Sequence, residues 1–278
     1  MTIDRRKFLK FHAAISTGIV LFGTSAQAAV TPDDTRQQFA SYLQKLGYTT
    51  LNPVPLVTGH PFNGGLQYDE DETTFKPMSF VEQTCARPSD FDTRHKSGTL
   101  PLFVILILQS GDRTTASTAA LEAKMGYLTQ VAQLDPKRFR LTTTNRASHI
   151  FPSFEAYGIS RSQIRVRPWS EAFAAGDGSG YLNPKGHPRN PVHESISLEY
   201  VLTTGTELEL GEFVYATGQP PHGSGIGVER VTMARNDRAM MWADGLASFK
   251  LAVEEDAKRN NLPLPPGYYQ TLGLAKPN

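Results

Sequence analysis

The sequence predicts an α+β fold with a mainly antiparallel sheet flanked by helices. The segment "LPLFVILILQ" (100–109) is continuously apolar and β-branched, which is typical of a strand buried on both faces. Two later segments, "SISLEYVL" (195–202) and "TELELGEFVYA" (206–216), alternate apolar and polar residues and are predicted to be paired strands. Helical patterns are scattered among the strands, which favours α+β over a regular α/β alternation.

Several segments have helical patterns. The segment "DDTRQQFASYLQKLGYTT" (33–50) carries an apolar stripe that ends at a glycine, and "TASTAALEAKMGYLTQVA" (115–132) is rich in helix-forming residues. Helices are also predicted at "VERVTMARN" (228–236) and "DGLASFKLAVEEDAKRN" (244–260). Residues 173–192 are rich in Gly, Pro and Asn, and we expect them to form a long loop.

The first 28 residues have the pattern of an export signal. A basic start precedes an apolar stretch (11–22), and Ala26 and Ala28 occupy the positions that a signal peptidase reads. Arg5 and Arg6 form the pair that is typical of the twin-arginine route. We therefore expect export by that route, to the periplasm or the extracellular space. An ordinary secretory signal and a short membrane anchor are the alternatives.

Removal of this leader leaves residues 29–278, enough for one domain with a hydrophobic core. The leader holds four of the 28 basic residues and one of the 27 acidic ones, which leaves 24 basic against 26 acidic residues. Such a near-neutral chain gives no sign of nucleic-acid binding. The sole cysteine, Cys85, excludes an internal disulfide and a multi-cysteine metal site. No later segment is long and apolar enough for a membrane helix.

The segment "GSGIGVERV" (223–231) places three glycines directly before a predicted helix. A glycine-rich turn at a helix N-terminus exposes backbone N–H groups, and the helix dipole favours an anion there. Arg230, in the first turn of that helix, adds a planar guanidinium group suited to phosphate. From these residues alone, an ordinary turn between two parts of the scaffold is the alternative.

This glycine segment resembles motif 3 of class II aminoacyl-tRNA synthetases, in which Gly-x-Gly-x-x-Arg opens a helix. Further segments resemble the alanyl-tRNA synthetase core most closely, in the order of that family, and they cover nearly all of residues 29–278. The segment "FASYLQKLGYTTLNPVPLV" resembles the motif 1 region of the family. The segment "FKPMSFVEQTCAR" resembles its Gln-x-Cys-x-Arg region, and "SDFDTRHKSGTLPLFVIL" resembles its motif 2 region. The segment "LELGEFVY" resembles the strand before motif 3. The segment "HPRNPVHE" matches the family's Gly-Pro-x-Gly-Pro-x-Ser-Glu run only at Pro188, Pro191 and Glu194. The resemblance implies a class II synthetase fold and an ATP-dependent, adenylate-forming ligase.

The same resemblance implies the residues of the site. Arg94, in the motif 2 position, would hold the α-phosphate of ATP and the reacting carboxylate, and Arg230 would bind the terminal phosphates. Adenine would stack near Gly225 and Gly227. Activation of this kind joins a carboxylate to the α-phosphate and releases pyrophosphate, so the protein acts mainly by positioning and charge neutralisation.

Three further residues complete the implied site. Arg87 would be an additional phosphate contact, and Glu194 would line the same pocket. Glu209 would hold Mg²⁺, which prefers a carboxylate together with phosphates and waters. The alternative for Glu209 is the solvent-facing side of a strand, a role that Glu212 would share. Cys85 is expected to be a small buried hydrophobic residue rather than a nucleophile.

The chain departs from the family pattern in three ways. The acidic residue that meets the amino group of alanine in the family, two positions before the motif 3 glycine, is Gly223 here, so a free α-ammonium group would lack its charged partner. The segment "LFVILILQS" (102–110) replaces a polar and aromatic sequence. The tRNA-binding parts of the family are not matched and no basic patch replaces them, so charging of tRNA is not expected.

Two functional hypotheses follow. The first is a stand-alone synthetase-like ligase that activates a small carboxylate, amino acids included, with ATP and Mg²⁺ and passes it to a small amine, thiol or carrier. The second is an exported, catalytically silent paralogue that binds a small molecule or a protein partner, because ATP is scarce outside the cytoplasmic membrane. A homodimer through the motif 1 helix is a further expectation from the resemblance.

Overall fold

A computed structural model describes residues 29–57, 62, 78–110, 118–175, 180–182, 193–215, 223–265 and 268–274. The predicted leader, residues 1–28, lies outside these ranges, so export by the twin-arginine route stays a prediction. Most of the predicted loop between residues 176 and 192 also lies outside them. Its described part includes a two-residue strand, Tyr181–Leu182, so this region is not loop throughout.

The described residues form a mainly antiparallel sheet. Its strands are β1 (Thr49–Leu51), β2 (Ser79–Cys85), β3 (Phe103–Gln109), β4 (Phe139–Thr144), β5 (Ile164–Arg167), β6 (Tyr181–Leu182), β7 (His193–Val201), β8 (Glu207–Tyr215) and β9 (Gly223–Gly227). Their order across the sheet is β1-β2-β3-β9-β8-β7-β4-β5, with β6 paired to β7 outside this path. The pairs β1–β2 and β4–β5 are parallel, and the other strand pairs of the described residues are antiparallel.

Helices flank the sheet. The α-helices are α1 (Pro32–Lys45), α2 (Pro88–Phe91), α3 (Ala119–Gly126), α4 (Phe151–Glu155), α5 (Trp169–Ala175), α6 (Val228–Arg235), α7 (Leu246–Asn260) and α8 (Tyr268–Thr271). A π-helical turn continues α3, and short 3-10 turns lie at Pro136–Arg138, Asn145–Ile150, Arg161–Gln163 and Trp242–Gly245. Together with the antiparallel sheet, these helices confirm the predicted α+β fold.

The main hydrophobic core lies between one face of the sheet and helices α1, α3 and α6. Leu106 and Leu108 of β3 face this core. Ile105 and Ile107, which alternate with them, face a smaller apolar cluster that includes Cys85 on the opposite face. Strand β3 is therefore buried on both faces, as its unbroken apolar sequence predicts.

Helix α1 packs its apolar stripe against its own chain. The Thr31 hydroxyl accepts a hydrogen bond from the Asp34 amide, and the Asp34 carboxylate accepts one from the Thr31 amide, which forms a capping box. Phe39 and Leu43 are then buried in the main core. The resemblance to motif 1 thus coincides with a helix whose apolar residues pack inside the chain, and the homodimer stays a prediction.

The glycine segment forms strand β9, not the predicted turn. It pairs with β3 along its whole length, from Gly227 opposite Ile105 to Gly223 opposite Gln109. Gly223, Gly225 and Gly227 fall on the same face of β9 because side chains alternate along a strand. That face is consequently bare of side chains. Helix α6 follows at once, with Gly227 as its N-cap, so the start of the helix agrees with the sequence.

An irregularity in β8 decides which of its side chains face the core. The register of β8 against β7 shifts beside Gly211, as in a β-bulge. Leu210 before the shift and Phe213 after it both face the main core, although residues three apart lie on opposite faces of a regular strand. Glu209 and Glu212 consequently lie together on the other face.

Replacement of Gly211 tests this irregularity. Gly211 has a φ of 142°, and a Cβ atom there would lie 2.1 Å from the carbonyl oxygen of Gly225. We expect Gly211→Ala to lower the free energy of unfolding by roughly 2 kcal/mol or more, because the backbone must shift and adopt a strained conformation. Urea unfolding followed by circular dichroism measures the loss.

Gly205→Ala is the matched control. Gly205 also has a positive φ, 85°, but a Cβ atom there would meet nothing within 4 Å. Only the backbone strain, about 1 kcal/mol, is expected in this variant. Equal losses in the two variants would contradict the close approach of Gly211 to Gly225.

Candidate functional site

A cleft opens on the face of the sheet opposite the main core, where β3, β9 and β8 lie side by side. The space in and around it, open solvent at its mouth included, is about 470 Å³. Gly225 and Gly227 of β9 form part of its floor. The side chains around it are those of Arg87, Phe103, Ile105, Glu209, Glu212 and Arg230.

Two guanidinium groups lie near the ring of Phe103. The central carbon of the Arg87 guanidinium is 5.2 Å from the ring centroid, and that of Arg230 is 5.9 Å from it. Both arginines stand at helix starts, Arg87 as the N-cap of α2 and Arg230 in the first turn of α6. Cation–π attraction favours both placements. Two positive charges therefore lie close to one aromatic ring.

Arg230 also contacts the acidic side of the cleft. Its Nη1 donates to Oε2 of Glu209 at 3.0 Å and to the Glu209 carbonyl oxygen at 3.1 Å. The two side chains are 20% and 40% exposed, so water screens the ion pair and its net contribution is about 0–1 kcal/mol. The pair orients the guanidinium at little cost, and a strong anion in the cleft can compete for it.

Two other carboxyl groups near the arginines have raised pKa values. Burial, together with the charge of Glu209, raises the pKa of Glu212 to about 8. Burial also raises the pKa of Asp90, an effect that Arg230 and Arg87 partly offset. Among the described residues, the buried Oδ2 of Asp90 has no hydrogen-bond partner. The cleft therefore combines guanidinium donors with carboxyl groups that are poorly compensated, an arrangement found at functional sites.

Five of the seven predicted site residues line this cleft. They are Arg87, Glu209, Gly225, Gly227 and Arg230. They come from the N-cap of α2, from strands β8 and β9, which are neighbours in the sheet, and from helix α6, which directly follows β9.

Glu194 and Arg94 lie elsewhere. Glu194 is a fully buried residue of β7, and its Oε1 accepts a hydrogen bond from Nη1 of Arg146 at 3.1 Å. Arg94 is exposed in the turn after α2 and is not part of the cleft lining. The ring of Phe91, the last residue of α2, packs against aromatic rings of the C-terminal region, and the turn that follows it stays at the surface. The expected convergence of Arg94 and Arg230 in one cavity is thus not seen.

The cleft region also contains residues that the sequence did not indicate as site residues, among them Phe103, Glu212 and Lys124. Phe103 is hidden within an apolar run that also reads as a buried strand. Glu212 faces the cleft only because of the irregularity at Gly211, for which the single signal is a glycine inside an alternating strand. Lys124 belongs to a predicted helix, and nothing in its local sequence indicates that it is buried.

The described residues offer no large cluster of metal-binding side chains. None of their His, Cys, Asp and Glu side chains gather in threes that could hold a metal ion. Any cation in the cleft would thus depend on two protein carboxylates together with other ligands. Among the described helices, none has the length and apolar character needed to cross a membrane.

Comparisons with known proteins give a limited result. No family model matches the chain, and no curated protein matches it. One solved structure with a similar shape is described as "a putative aspartyl-tRNA synthetase from Leishmania major Friedlin". The match has 12% sequence identity and a TM-score of 0.35, and it covers 74% of this chain and 61% of that chain. A likeness this weak carries no argument about substrate, and it does not support the closer resemblance of the motifs to alanyl-tRNA synthetase.

Cys85 offers a direct test of the buried side of this region. Its side chain is fully buried, Sγ donates to the Gln83 carbonyl oxygen at 3.3 Å, and burial raises the pKa of the thiol to about 12. We expect a thiol reagent to modify the native protein at least about a hundredfold more slowly than the urea-unfolded protein, because the reactive thiolate is scarce and inaccessible. Since Cys85 is the sole cysteine, every modification reports on it. Rapid reaction of the native protein would contradict this placement.

Proposed function

We propose that this protein is a stand-alone synthetase-like ligase that activates a small carboxylate, amino acids included, with ATP as an adenylate for transfer to a non-tRNA acceptor. In that reaction a carboxylate oxygen bonds to the α-phosphorus of ATP while the bond to pyrophosphate breaks. The observation that carries the proposal is the cleft, where two guanidinium groups lie near one aromatic ring, and glycines of β9 and the side chains of Glu209 and Glu212 line the same space. The ordered resemblance to class II synthetase motifs supports the same reading.

The cleft offers contacts for each part of a nucleotide. The ring of Phe103 and the planar guanidinium groups beside it are surfaces on which a base can stack. The bare face of β9 allows close approach to the backbone at Gly225 and Gly227. Arg87 and Arg230 supply charge-assisted donors for phosphate oxygens. In this proposal these two arginines take the phosphate role, and the role that the motifs imply for Arg94 stays a prediction.

The acidic side of the cleft suits Mg²⁺ by its chemistry. Mg²⁺ is held in proteins by one or two carboxylates together with phosphates and waters. Glu209 and Glu212 supply two carboxylates on one wall of the cleft, which agrees with that donor set. A bound Mg²⁺ would neutralise charge on the phosphate groups. The raised pKa of Glu212 means that a cation would displace a proton from it near neutral pH.

The remaining parts of the proposal concern substrate and location. Gly223, on β9, places no carboxylate where the family binds the amino group of alanine, so a carboxylate without that requirement is favoured. The acceptor would be a small amine, thiol or carrier. The proposal keeps export by the twin-arginine route, since a protein that crosses the membrane folded can carry a bound ligand with it.

Arginine variants test the proposal through ATP binding and pyrophosphate exchange. We expect Arg230→Ala to weaken binding of MgATP by about 10- to 100-fold, because a charge-assisted contact to phosphate is lost. Calorimetry measures the affinity, and exchange of labelled pyrophosphate into ATP with a panel of carboxylic acids measures activation. Arg259→Ala, at an exposed position of α7, is the matched control. The proposal fails if the wild type neither binds MgATP nor exchanges pyrophosphate with any acid.

Arg94→Ala decides the motif-based role of Arg94. If exchange is lost in this variant while MgATP affinity is kept, Arg94 meets the reacting carboxylate during the reaction. If both quantities match the wild type, Arg94 has no part in activation.

An exported, catalytically silent paralogue that binds a small molecule or a protein partner is the second candidate. The observation that favours it is the ion pair between Arg230 and Glu209. In this pair the Arg230 guanidinium already donates to a carboxylate of the protein, at the place where the first candidate needs it for phosphate. Calorimetry with amino acids in the absence of nucleotide separates the two candidates. Micromolar binding of an amino acid without ATP, together with no pyrophosphate exchange, would favour the silent paralogue.

A further inference from the structure

The hydrogen-bond ladder between β8 and β9 is short. Although both strands continue, the described pairing covers only Phe213 opposite Ser224 and Val214 opposite Gly223. Next along, Gly211 presses against the carbonyl group of Gly225, and regular pairing stops there. A carbonyl group in the sheet interior needs a hydrogen-bond donor, because burial without one is costly.

Lys124 supplies the donor that the ladder lacks. Its Nζ donates to the Gly225 carbonyl oxygen at 2.8 Å and to the Glu212 carbonyl oxygen at 3.1 Å. The side chain comes from α3, on the main-core side of the sheet, and is fully buried. Its ammonium group also lies 4.2 Å from the ring centroid of Phe213. A single side chain thus joins β8 and β9 directly beneath the floor of the cleft.

A buried lysine is an energetically unfavourable donor at this position. Burial of an ammonium group carries a large desolvation cost, and a neutral donor could bond to the same carbonyl oxygens. The charge itself is therefore the property to explain. The ammonium group lies below the cleft wall that carries Glu209 and Glu212. The negative charges of these two residues raise the pKa of Lys124, whereas burial lowers it.

We propose that Lys124 is a positioning residue of the cleft, whose ammonium group ties the Gly225 and Glu212 backbones together and places a positive charge under the cleft floor. This inference rests on the proposed function for its consequence, which is that Lys124 supports an anionic ligand from below. Lys124 acts through the floor and does not itself touch the ligand.

Two measurements on the full chain test the positioning role. In Lys124→Met, we expect amide hydrogen exchange in residues 211–215 and 223–227 to become about tenfold faster or more, while residues 139–144 keep their wild-type rates. We also expect the affinity for MgATP to fall about tenfold, since the floor and its charge are both altered. Lys45→Met, an exposed lysine at the end of α1, is the matched control.

The outcomes separate the positioning role from the proposed function. Unchanged exchange in residues 211–215 and 223–227 overturns the positioning role, and so does wild-type MgATP affinity in Lys124→Met. If the wild type binds no MgATP, the proposed function fails, and the exchange rates still decide whether Lys124 holds the floor. If Lys124→Met does not fold, Lys124→Gln keeps neutral donors and takes its place. Full protection with full MgATP affinity in Lys124→Gln would show that the charge has no role.

Discussion

The close approach of Gly211 to Gly225 is the constraint on which the geometry of the cleft depends. A carbonyl oxygen occupies the space that a Cβ atom at Gly211 would need, so the two strands can come this close only with glycine there. The same contact ends the regular ladder between β8 and β9 and frees the Gly225 carbonyl for Lys124. It also places Glu209 and Glu212 on the cleft side of β8 while the leucine and aromatic side chains of that strand keep their places in the core.

The second constraint is electrostatic. Two arginines, two glutamates and a buried lysine lie within and beneath one shallow cleft, and no single sign of charge prevails. Burial raises the pKa of Glu212 and lowers that of Lys124, so both groups are close to exchanging protons near neutral pH. Small changes in what occupies the cleft therefore change its protonation. A site of this kind responds to a charged ligand by releasing or taking up protons.

The sequence predicted the parts of the fold that follow from periodicity. The apolar run of β3, the alternation of β7 and β8, and the start of α6 all appear where local pattern places them. Local pattern does not report pairing, and so the glycine segment was predicted as a turn although it pairs with β3 as a strand. It also does not report the direction of a surface turn. The resemblance to motif 2 implied that Arg94 lies beside Arg230, whereas Arg94 is exposed and outside the cleft lining. Motif spacing found the arginines and glycines of the cleft, whereas Lys124 and Glu212 depend on tertiary contacts.

A ligand that carries both a negative and a positive charge can replace the ion pair between Arg230 and Glu209, because it offers a new partner to each side chain. A phosphate group alone would take Arg230 and leave the Glu209 carboxylate without its cationic partner. A phosphate group with a divalent cation would satisfy both members of the pair at once. Since the exposed pair contributes only about 0–1 kcal/mol, its loss is a small cost against two new charged contacts. Within the proposed function, this charge pattern is an argument for a metal-bound phosphate over a bare anion.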